Sequence, residues 1–293
     1  QRQMGIRVRF WGSGPILRKL DTHYPGRVIF RYVMGGLVKD IHQFMDTTNH
    51  IGGKGAEAAN RQVMEHWLEA SQRHGMPVME EGFALFSDKY PSTYPQCIAY
   101  KAAQLTDRNK ADRFLRRIRE ATTAEAQVTS KKEVLVSLAS EVGLDIATFL
   151  SYINDGSAEQ AFNGDLNLCN ALGVRGFPTF EVKFNSQKVL MRGYQQFADF
   201  KAVIDMITFK RIRPVKPGKT DSAWLDFLEE YTHSAAEEIR QAFDIEMTEE
   251  VNQWVDRLEN ENKITRLPAG NGYFVEKNNT RNPLACDADS GVC

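Results

Sequence analysis

The chain has 293 residues and a mass of 33.3 kDa, which is more than one minimal core needs. A single small domain is therefore excluded, and two structural units, or one fold with a large insertion, are expected. Hydrophobic residues make up 42% and charged residues 26% of the chain, as in globular proteins, and no run approaches the roughly 18 apolar residues of a membrane span.

The net charge of -1 hides a strong polarity along the chain. Residues 1–218 hold 30 Lys and Arg against 22 Asp and Glu, residues 219–280 hold 6 against 14, and the last thirteen residues hold 1 against 2. The three segments therefore carry +8, -8 and -1. The change of sign after residue 218 is typical of two separate units.

The cysteines indicate the cellular compartment. Cys97, Cys169, Cys286 and Cys293 are too few and too far apart for a disulfide-stapled scaffold. Residues 1–10 contain no apolar segment of the kind that a secretory signal requires. We therefore expect a cytoplasmic protein without membrane contact.

The first elements form an α–β step. Ser13 can cap a short helix that has Pro15 near its first turn. Charged and bulky residues alternate over residues 27–34 and predict a strand, which Gly35 and Gly36 end. Residues 56–170 then follow a helical period, which predicts four to six helices without strands.

A hairpin and a helix follow this helical block. Strands are predicted over residues 179–184 and 188–191, with Asn185 and Ser186 in the turn, and a helix over residues 197–207. Pro214, Pro217 and Gly218 cannot continue that helix. Residues 214–218 are therefore the best candidate for a linker, and the charge changes sign at the same place.

Three helices, over residues 222–231, 234–243 and 248–262, and a hairpin over residues 264–275 are predicted beyond the linker. Helices followed by a two-stranded wing form a winged-helix-like outline. The third helix carries five acidic residues against Arg257 alone, and DNA affinity depends largely on neutralising phosphates. We therefore expect this acidic unit to contact protein and not nucleic acid.

A basic cluster lies within the predicted helical block, at Arg113, Arg116, Arg117 and Arg119. A solvated helix face is the first interpretation of such a cluster. The alternative is a docking surface for an acidic partner, and the chain's own C-terminal unit is one candidate for that partner.

Four segments together resemble the DsbA-like thioredoxin-fold family, and most closely its FrnE-type branch. They lie at residues 15–20, 30–37, 92–103 and 173–180, and read PILRKL, FRYVMGGL, STYPQCIAYKAA and GVRGFPTF. The resemblance covers about residues 11–210. It implies an α/β thioredoxin-like fold, formed by residues 1–40 and 171–213, with residues 41–170 as an inserted helical domain. Residues 219–280 are then the winged-helix-like α+β unit, and residues 281–293 a cysteine-containing tail.

The resemblance also implies a site. Pro178 would be the cis-proline that faces a Cys-x-x-Cys motif, and Phe177, Pro178 and Thr179 would form the substrate groove. There the backbone of Phe177 would pair with an extended substrate segment. The family activity is thiol–disulfide exchange on protein substrates, together with a thioredoxin-type redox partner, and it needs no cofactor or metal.

The chain departs from the family where the Cys-x-x-Cys motif is expected, because Arg7 and Phe10 occupy the two thiol positions. Exchange requires a thiolate, which neither side chain supplies. The strand that precedes the motif in the family is also expected to be missing, as about ten residues precede Trp11. A degenerate, non-redox member and a truncated or mis-started sequence both explain this, and the abrupt loss of likeness before Trp11 favours the second.

Cys286 and Cys293 are the best remaining redox candidates, because they lie in a polar tail with no core to fill. Asp287 and Asp289 would raise the pKa of these thiols, so neither is expected to be a fast nucleophile. An idle tail and a soft-metal site are the alternatives, although two cysteines are too few for a structural zinc site.

Three functions compete at this stage. The leading hypothesis is a DsbA/FrnE-like disulfide oxidoreductase or isomerase, here without its Cys-x-x-Cys motif. The alternative is a non-catalytic adaptor or protein-binding module, as in the protease-adaptor relatives of the DsbA superfamily. A glutathione-dependent isomerase resembling the kappa-class transferases ranks third, because Ser13 lies about six residues beyond the position that its serine should occupy.

Overall fold

The computed structural model describes residues 4–8, 11–47 and 50–278. In chain order the strands are β1 (Met4–Val8), β2 (Val28–Tyr32), β3 (Met45–Asp46), β4 (Ile51–Gly52), β5 (Thr179–Phe184), β6 (Gln187–Arg192), β7 (Ser234–Ala235), β8 (Ile264–Ala269) and β9 (Gly272–Lys277). The helices are α1 (Gly14–His23), α2 (Gly55–His74), α3 (Tyr94–Thr106), α4 (Arg108–Thr123), α5 (Lys132–Glu141), α6 (Ile146–Asn154), α7 (Ser157–Ala171), α8 (Phe197–Thr208), α9 (Asp221–Glu230), α10 (Ala236–Ala242) and α11 (Thr248–Asn260).

A four-stranded sheet in the order β2-β1-β5-β6 is the centre of the first unit. β1 runs parallel to β2, from the pair Met4 and Val28 to the pair Val8 and Tyr32, and antiparallel to β5. The prediction that no strand precedes Trp11 is therefore wrong. Five residues suffice here because β1 is central and pairs with a neighbour on both sides, which a reading of the local sequence cannot detect.

Helices α1 and α8 pack together on the core of this sheet. α1 begins with Pro15 in its first turn and presents Ile16, Leu17 and Leu20 on one stripe. Their partners in this cluster are apolar residues of β5 and α8: Phe180, Val182, Phe184, Phe200, Ile204 and Ile207. Leu20 and Ile204 are fully buried.

Six helices, α2 to α7, lie between β2 and β5 in the chain. Helices α3 to α7 share a second core around Phe114, Phe149 and Phe162, and α2 packs with residues 38–51 and 85–86 in a separate cluster. Asp107 and Asp145 cap α4 and α6 through their carboxylates. The helical block therefore has cores of its own, although its predicted boundaries at residues 41 and 170 remain predictions.

The C-terminal unit contains α9, α10 and α11 and a three-stranded sheet in the order β7-β9-β8. Its core is aromatic and aliphatic, with Trp224, Phe243, Val255 and Leu258 buried together. The elements match the predicted helices and hairpin within two or three residues, and β7 is an addition. No helix within the described ranges is long and apolar enough to cross a membrane.

Candidate protein-binding site

The loop before β5 has the geometry that the resemblance implies for residues 177–179. The Phe177–Pro178 peptide bond is cis, and the Pro178 carbonyl accepts a hydrogen bond from the Gly193 amide at 2.9 Å. Thr179 begins β5, and its hydroxyl donates to the Gly176 carbonyl at 2.7 Å. Pro178 is buried and Phe177 is half-buried, so the loop presents the Phe177 ring beside the end of the sheet.

A cavity of about 690 Å³ opens next to Phe177. Trp11, Met34 and Phe177 are among the residues that line it from the thioredoxin-like fold, and residues between 44 and 123, in helices and loops, supply most of the remaining wall. The apolar members of that wall are Met34, Leu37, Val38, Phe44, Met45, Ile51, Val63, Trp67, Ala70, Val78, Leu85, Phe86, Cys97, Leu115 and Ile118. Leu37 and Met45 remain 53% and 60% exposed, so apolar surface continues to the mouth of the cavity.

The polar groups of the cavity are cationic or neutral, apart from Asp46. Arg119 and Arg175 line it, and the Arg119 guanidinium lies 5.1 Å from the centre of the Tyr32 ring. Burial lowers the pKa of His74 to about 4, and its Nδ1 accepts a hydrogen bond from the Met76 amide at 3.1 Å. His74 is therefore neutral at pH 7. An apolar wall of this size fits side chains of a polypeptide, with a positive field beside them.

The structure describes only one of the predicted redox positions, Arg7. Arg7 lies within β1, opposite Arg31 and Glu181, while Phe10, Cys286 and Cys293 fall outside the described residues. Cys97 lines the cavity from α3 and is 2% exposed. Cys169 lies half-buried in α7 and is not among the lining residues.

The C-terminal unit is joined to the rest of the protein by a charge cluster with a buried acidic centre, which we call the Arg116 cluster: Arg116, Glu120, His233 and Glu238. The Arg116 guanidinium donates to both carboxylate oxygens of Glu238 at 2.8 Å and to Glu120 at 2.6 Å. Glu238 is 0% and Glu120 2% exposed. Trp11 covers the guanidinium at 4.6 Å from its ring centre.

The Arg116 cluster corrects the first interpretation of the basic residues at 113–119. Arg113 is exposed, but Arg116 is the docking residue for the acidic C-terminal unit, as the alternative proposed. Arg117 pairs within the inserted helices, with Glu125 at 2.6 Å and Glu141 at 2.7 Å. The sequence signal for docking was the opposite charge of the two units, but it could not identify which arginine makes the contact.

Two further contacts fix the C-terminal unit. Along α1, the Tyr231 hydroxyl donates to Asp21, and Lys19 pairs with Asp244 at 2.5 Å. At the tip of the β8–β9 hairpin, Asn271 exchanges hydrogen bonds of 2.9 Å with the amide and carbonyl of Val78. The unit therefore contacts both the thioredoxin-like fold and the segment after α2, and its position relative to the cavity is set.

His233 makes the docking contact sensitive to pH. Its Nδ1 lies 3.1 Å from Glu120 and its Nε2 lies 3.4 Å from Glu276, and the hydrogen bond to Glu120 raises the pKa of His233 above its ordinary value of 6.5. A raised pKa in the folded state means that protonated His233 stabilises the fold below about pH 6.5, and that this contribution is lost as the pH rises through the folded-state pKa.

We expect His233→Gln to destabilise the protein more at pH 6 than at pH 8, relative to the unchanged chain. Urea unfolding of both proteins at the two pH values measures this difference. Burial lowers the pKa of His23 and His74, so these two residues make the fold more stable as the pH rises. The variant and the unchanged chain both contain His23 and His74, and their effect therefore cancels in the comparison. His42→Gln, at an exposed position, is the control. If His233→Gln lowers the free energy of unfolding equally at both pH values, protonated His233 does not stabilise the docking contact.

A sequence model of the thioredoxin family matches residues 7–201, and this chain belongs to that family. It is 28% identical to the ClpXP adapter protein SpxH of Halalkalibacterium halodurans over 271 residues, which cover 90% of this chain and 83% of the relative. It is 22% identical to the ClpXP adapter protein SpxH of Bacillus subtilis over 269 residues, with the same coverage.

Two solved structures share the fold. The cytosolic disulfide reductase DsbM of Pseudomonas aeruginosa has a TM-score of 0.53 at 21% identity and covers 70% of this chain and 98% of its own. A chain from Nitrosomonas europaea, assigned as a protein disulfide isomerase, has a TM-score of 0.58 at 17% identity, covering 71% and 99%. The expected thioredoxin-like fold with a helical insertion is therefore confirmed.

The expected activity is corrected by the same comparisons. Disulfide oxidoreductase or isomerase chemistry was the leading hypothesis, but the relatives that match 90% of the chain are named as adapters. Arg7 and Phe10 occupy the positions at which the resemblance implies the two thiols, and neither side chain supplies a thiolate. The resemblance correctly indicated the fold, and the fold does not determine the chemistry.

Proposed function

We propose that this chain is a non-catalytic adaptor that presents a client protein to the ClpXP protease in the cytoplasm. The observation that carries the proposal is the extent of the likeness. The alignment with the adapter covers 90% of this chain, so it cannot leave out the whole of residues 219–278. The reductase and isomerase structures cover only about 70% of this chain. The adapters thus share most of this chain, including the C-terminal unit.

The cavity supports the client-binding part of this proposal. Its wall is apolar, and Leu37 and Met45 leave apolar surface exposed at its mouth, which in a folded protein commonly marks a binding surface. Of the three predicted groove residues, Phe177 lines the cavity, and Pro178 and Thr179 follow it in the chain. We infer that apolar side chains of the client enter the cavity beside Phe177.

The docked C-terminal unit supports the second part of the proposal, that the chain presents its client in a fixed orientation. An adaptor must hold a client in one orientation, and the Arg116 cluster together with the Asn271 contact joins the unit to both other parts of the chain. A rigid scaffold of this kind binds without a large loss of conformational entropy.

We expect the chain to accelerate ClpXP degradation of its client by at least about tenfold. The client is first identified in cells as a protein whose half-life depends on both this chain and ClpX, and is then purified. Leu37→Asp with Met45→Asp should abolish the acceleration, because each places a charge on the apolar mouth. Leu105→Asp is the matched control, since Leu105 is 43% exposed and lies outside the cavity lining.

Two outcomes would contradict this proposal. One is that no protein has a half-life that depends on both this chain and ClpX. The other is that the mouth variant and the Leu105 variant support degradation equally well, which would remove the cavity from client binding.

A further inference from the structure

The C-terminal end of α8 and the linker after it expose large apolar side chains. Phe209 is 71%, Met206 58% and Val215 52% exposed, whereas most of the described aromatic residues are buried or half-buried. The Arg211 guanidinium lies 5.9 Å from the centre of the Phe209 ring. None of the three lines the cavity beside Phe177. We call the exposed residues of this region the linker surface: Met206, Phe209, Lys210, Arg211, Arg213, Val215, Lys216 and Lys219.

The linker surface is also strongly cationic. Residues 209–219 contain five Lys and Arg and no Asp or Glu, and all five cations are exposed. Within the described ranges, Lys210, Arg211 and Arg213 form no ion pair, and Lys219 donates only to the Asp244 carbonyl, at 2.8 Å. The charge is therefore available to a partner.

The linker is held in one conformation on the surface of the protein. The Val215 amide donates to the His23 carbonyl at 2.8 Å, and the Lys210 amide donates to the Asp205 carbonyl at 2.8 Å. Ile212 packs against the core of the thioredoxin-like fold, and Pro214 and Pro217 restrict the backbone further. A partner that binds here meets a preorganised surface and not a flexible tether.

The backbone at Phe209 adds a second unusual feature. Phe209 and Lys210 have φ angles of 53° and 58°, in the left-handed region where helix ends normally use glycine. The chain therefore keeps a large aromatic side chain, mostly exposed, at a position whose backbone favours glycine. Such positions cluster at binding sites, where the side chain has a use other than stability.

We propose that the linker surface docks an acidic polypeptide segment that carries apolar side chains. The five exposed cations match its charge, and Phe209, Met206 and Val215 match its apolar residues. Nucleic acid fits less well, because the C-terminal unit that begins at residue 219 carries -8 and would repel a long polyanion. This inference does not depend on the adaptor proposal, since it concerns different residues and needs no protease.

The test measures fluorescence anisotropy of the full chain with a fluorescein-labelled peptide in which Glu alternates with Leu and Phe. We expect this peptide to bind, and a peptide with Lys in place of Glu not to bind. Lys210→Glu, Arg211→Glu and Arg213→Glu combined should weaken binding by at least about tenfold, because three charge pairs are reversed. A charge-matched control combines Arg61→Glu, Lys183→Glu and Lys188→Glu, which are exposed residues elsewhere, and should change binding by less than about twofold.

Phe209→Gly separates binding from folding. Glycine adopts the left-handed conformation freely, so the midpoint of thermal unfolding should not fall, while peptide affinity should fall by about tenfold. No measurable binding of the acidic peptide, or equal loss in the two triple variants, would overturn the proposal. Binding of a single-stranded RNA oligonucleotide as tight as that of the peptide, and lost in the same variant, would also overturn it, in favour of a nucleic-acid surface.

Discussion

Replacing Arg116 with methionine is expected to lower the free energy of unfolding by about 3–5 kcal/mol, as measured by urea denaturation. The substitution removes the shortest ion pairs of Glu238 and Glu120, whose carboxylates are nearly inaccessible to water. Glu238 then keeps only Arg18 at 3.4 Å, and Glu120 keeps His233 at 3.1 Å as its nearest cation. Burial alone would raise the pKa of Glu120, but Arg116 and His233 outweigh this effect and hold that pKa below its usual value of 4.5. Removing Arg116 removes the larger of the two compensating charges.

Two controls make this prediction specific. Arg113→Met alters the same helix at an exposed position and should change stability by no more than about 0.5 kcal/mol. Arg116→Met combined with Glu238→Gln should recover part of the loss, because one of the uncompensated charges is then absent. A loss from Arg116→Met as small as that from Arg113→Met would show that the Arg116 cluster does not hold the two units together.

Replacing Gly270 with alanine is expected to cost about 2–4 kcal/mol, from overpacking and from strain at a positive φ. A Cβ atom at this position would lie 2.3 Å from the carbonyl carbon and oxygen of Val78 and 2.7 Å from the Met79 amide nitrogen. These are backbone atoms and cannot rotate away. Gly270 also has a φ of +53°, which alanine rarely adopts.

Gly218→Ala is the matched control for the hairpin tip. No atom lies within 4 Å of a Cβ built there, and its φ is not among the positive values, so alanine should be neutral or slightly stabilising. Thermal unfolding of both variants gives the comparison. Equal midpoints for Gly270→Ala and Gly218→Ala would mean that the hairpin tip does not pack on Val78.

These contacts bear on the proposed adaptor function. The thioredoxin-like unit and the inserted helices enclose the cavity beside Phe177, and the C-terminal unit is fixed against both by Arg116, Asn271 and the α1 contacts. These contacts thus hold the candidate binding surfaces in a defined arrangement. That arrangement suits an adaptor, which needs geometry and not bond chemistry.

Much of the architecture could be predicted from local patterns. Helical periodicity predicted the helices within residues 56–170, alternation predicted β2, and a strand-turn-strand pattern predicted β5 and β6. The linker at residues 214–218 stays a prediction. These signals are readable because each depends on residues close in the chain. β1 was missed because its stability comes from pairing with β2 and β5, which lie about 24 and 175 residues further along the chain.

The function could not be predicted from the fold alone. The sequence has Arg7 and Phe10 at the two positions where the resemblance implies thiols, but the strength of the resemblance favoured redox chemistry. The comparison with adapters reversed that order. The roles of Phe177, Pro178 and Thr179 in a groove, and of Cys286 and Cys293 in the tail, stay predictions.

The opposite charges of residues 1–218 and 219–280 were determined by the sequence alone. Only the tertiary structure decided how those charges are used. It places the half-buried Arg116 between two buried acids and leaves Lys210, Arg211 and Arg213 in solvent. The reason is physical: the cost of burying a charge depends on which partners surround it, and those partners, Glu238 above all, come from distant parts of the chain.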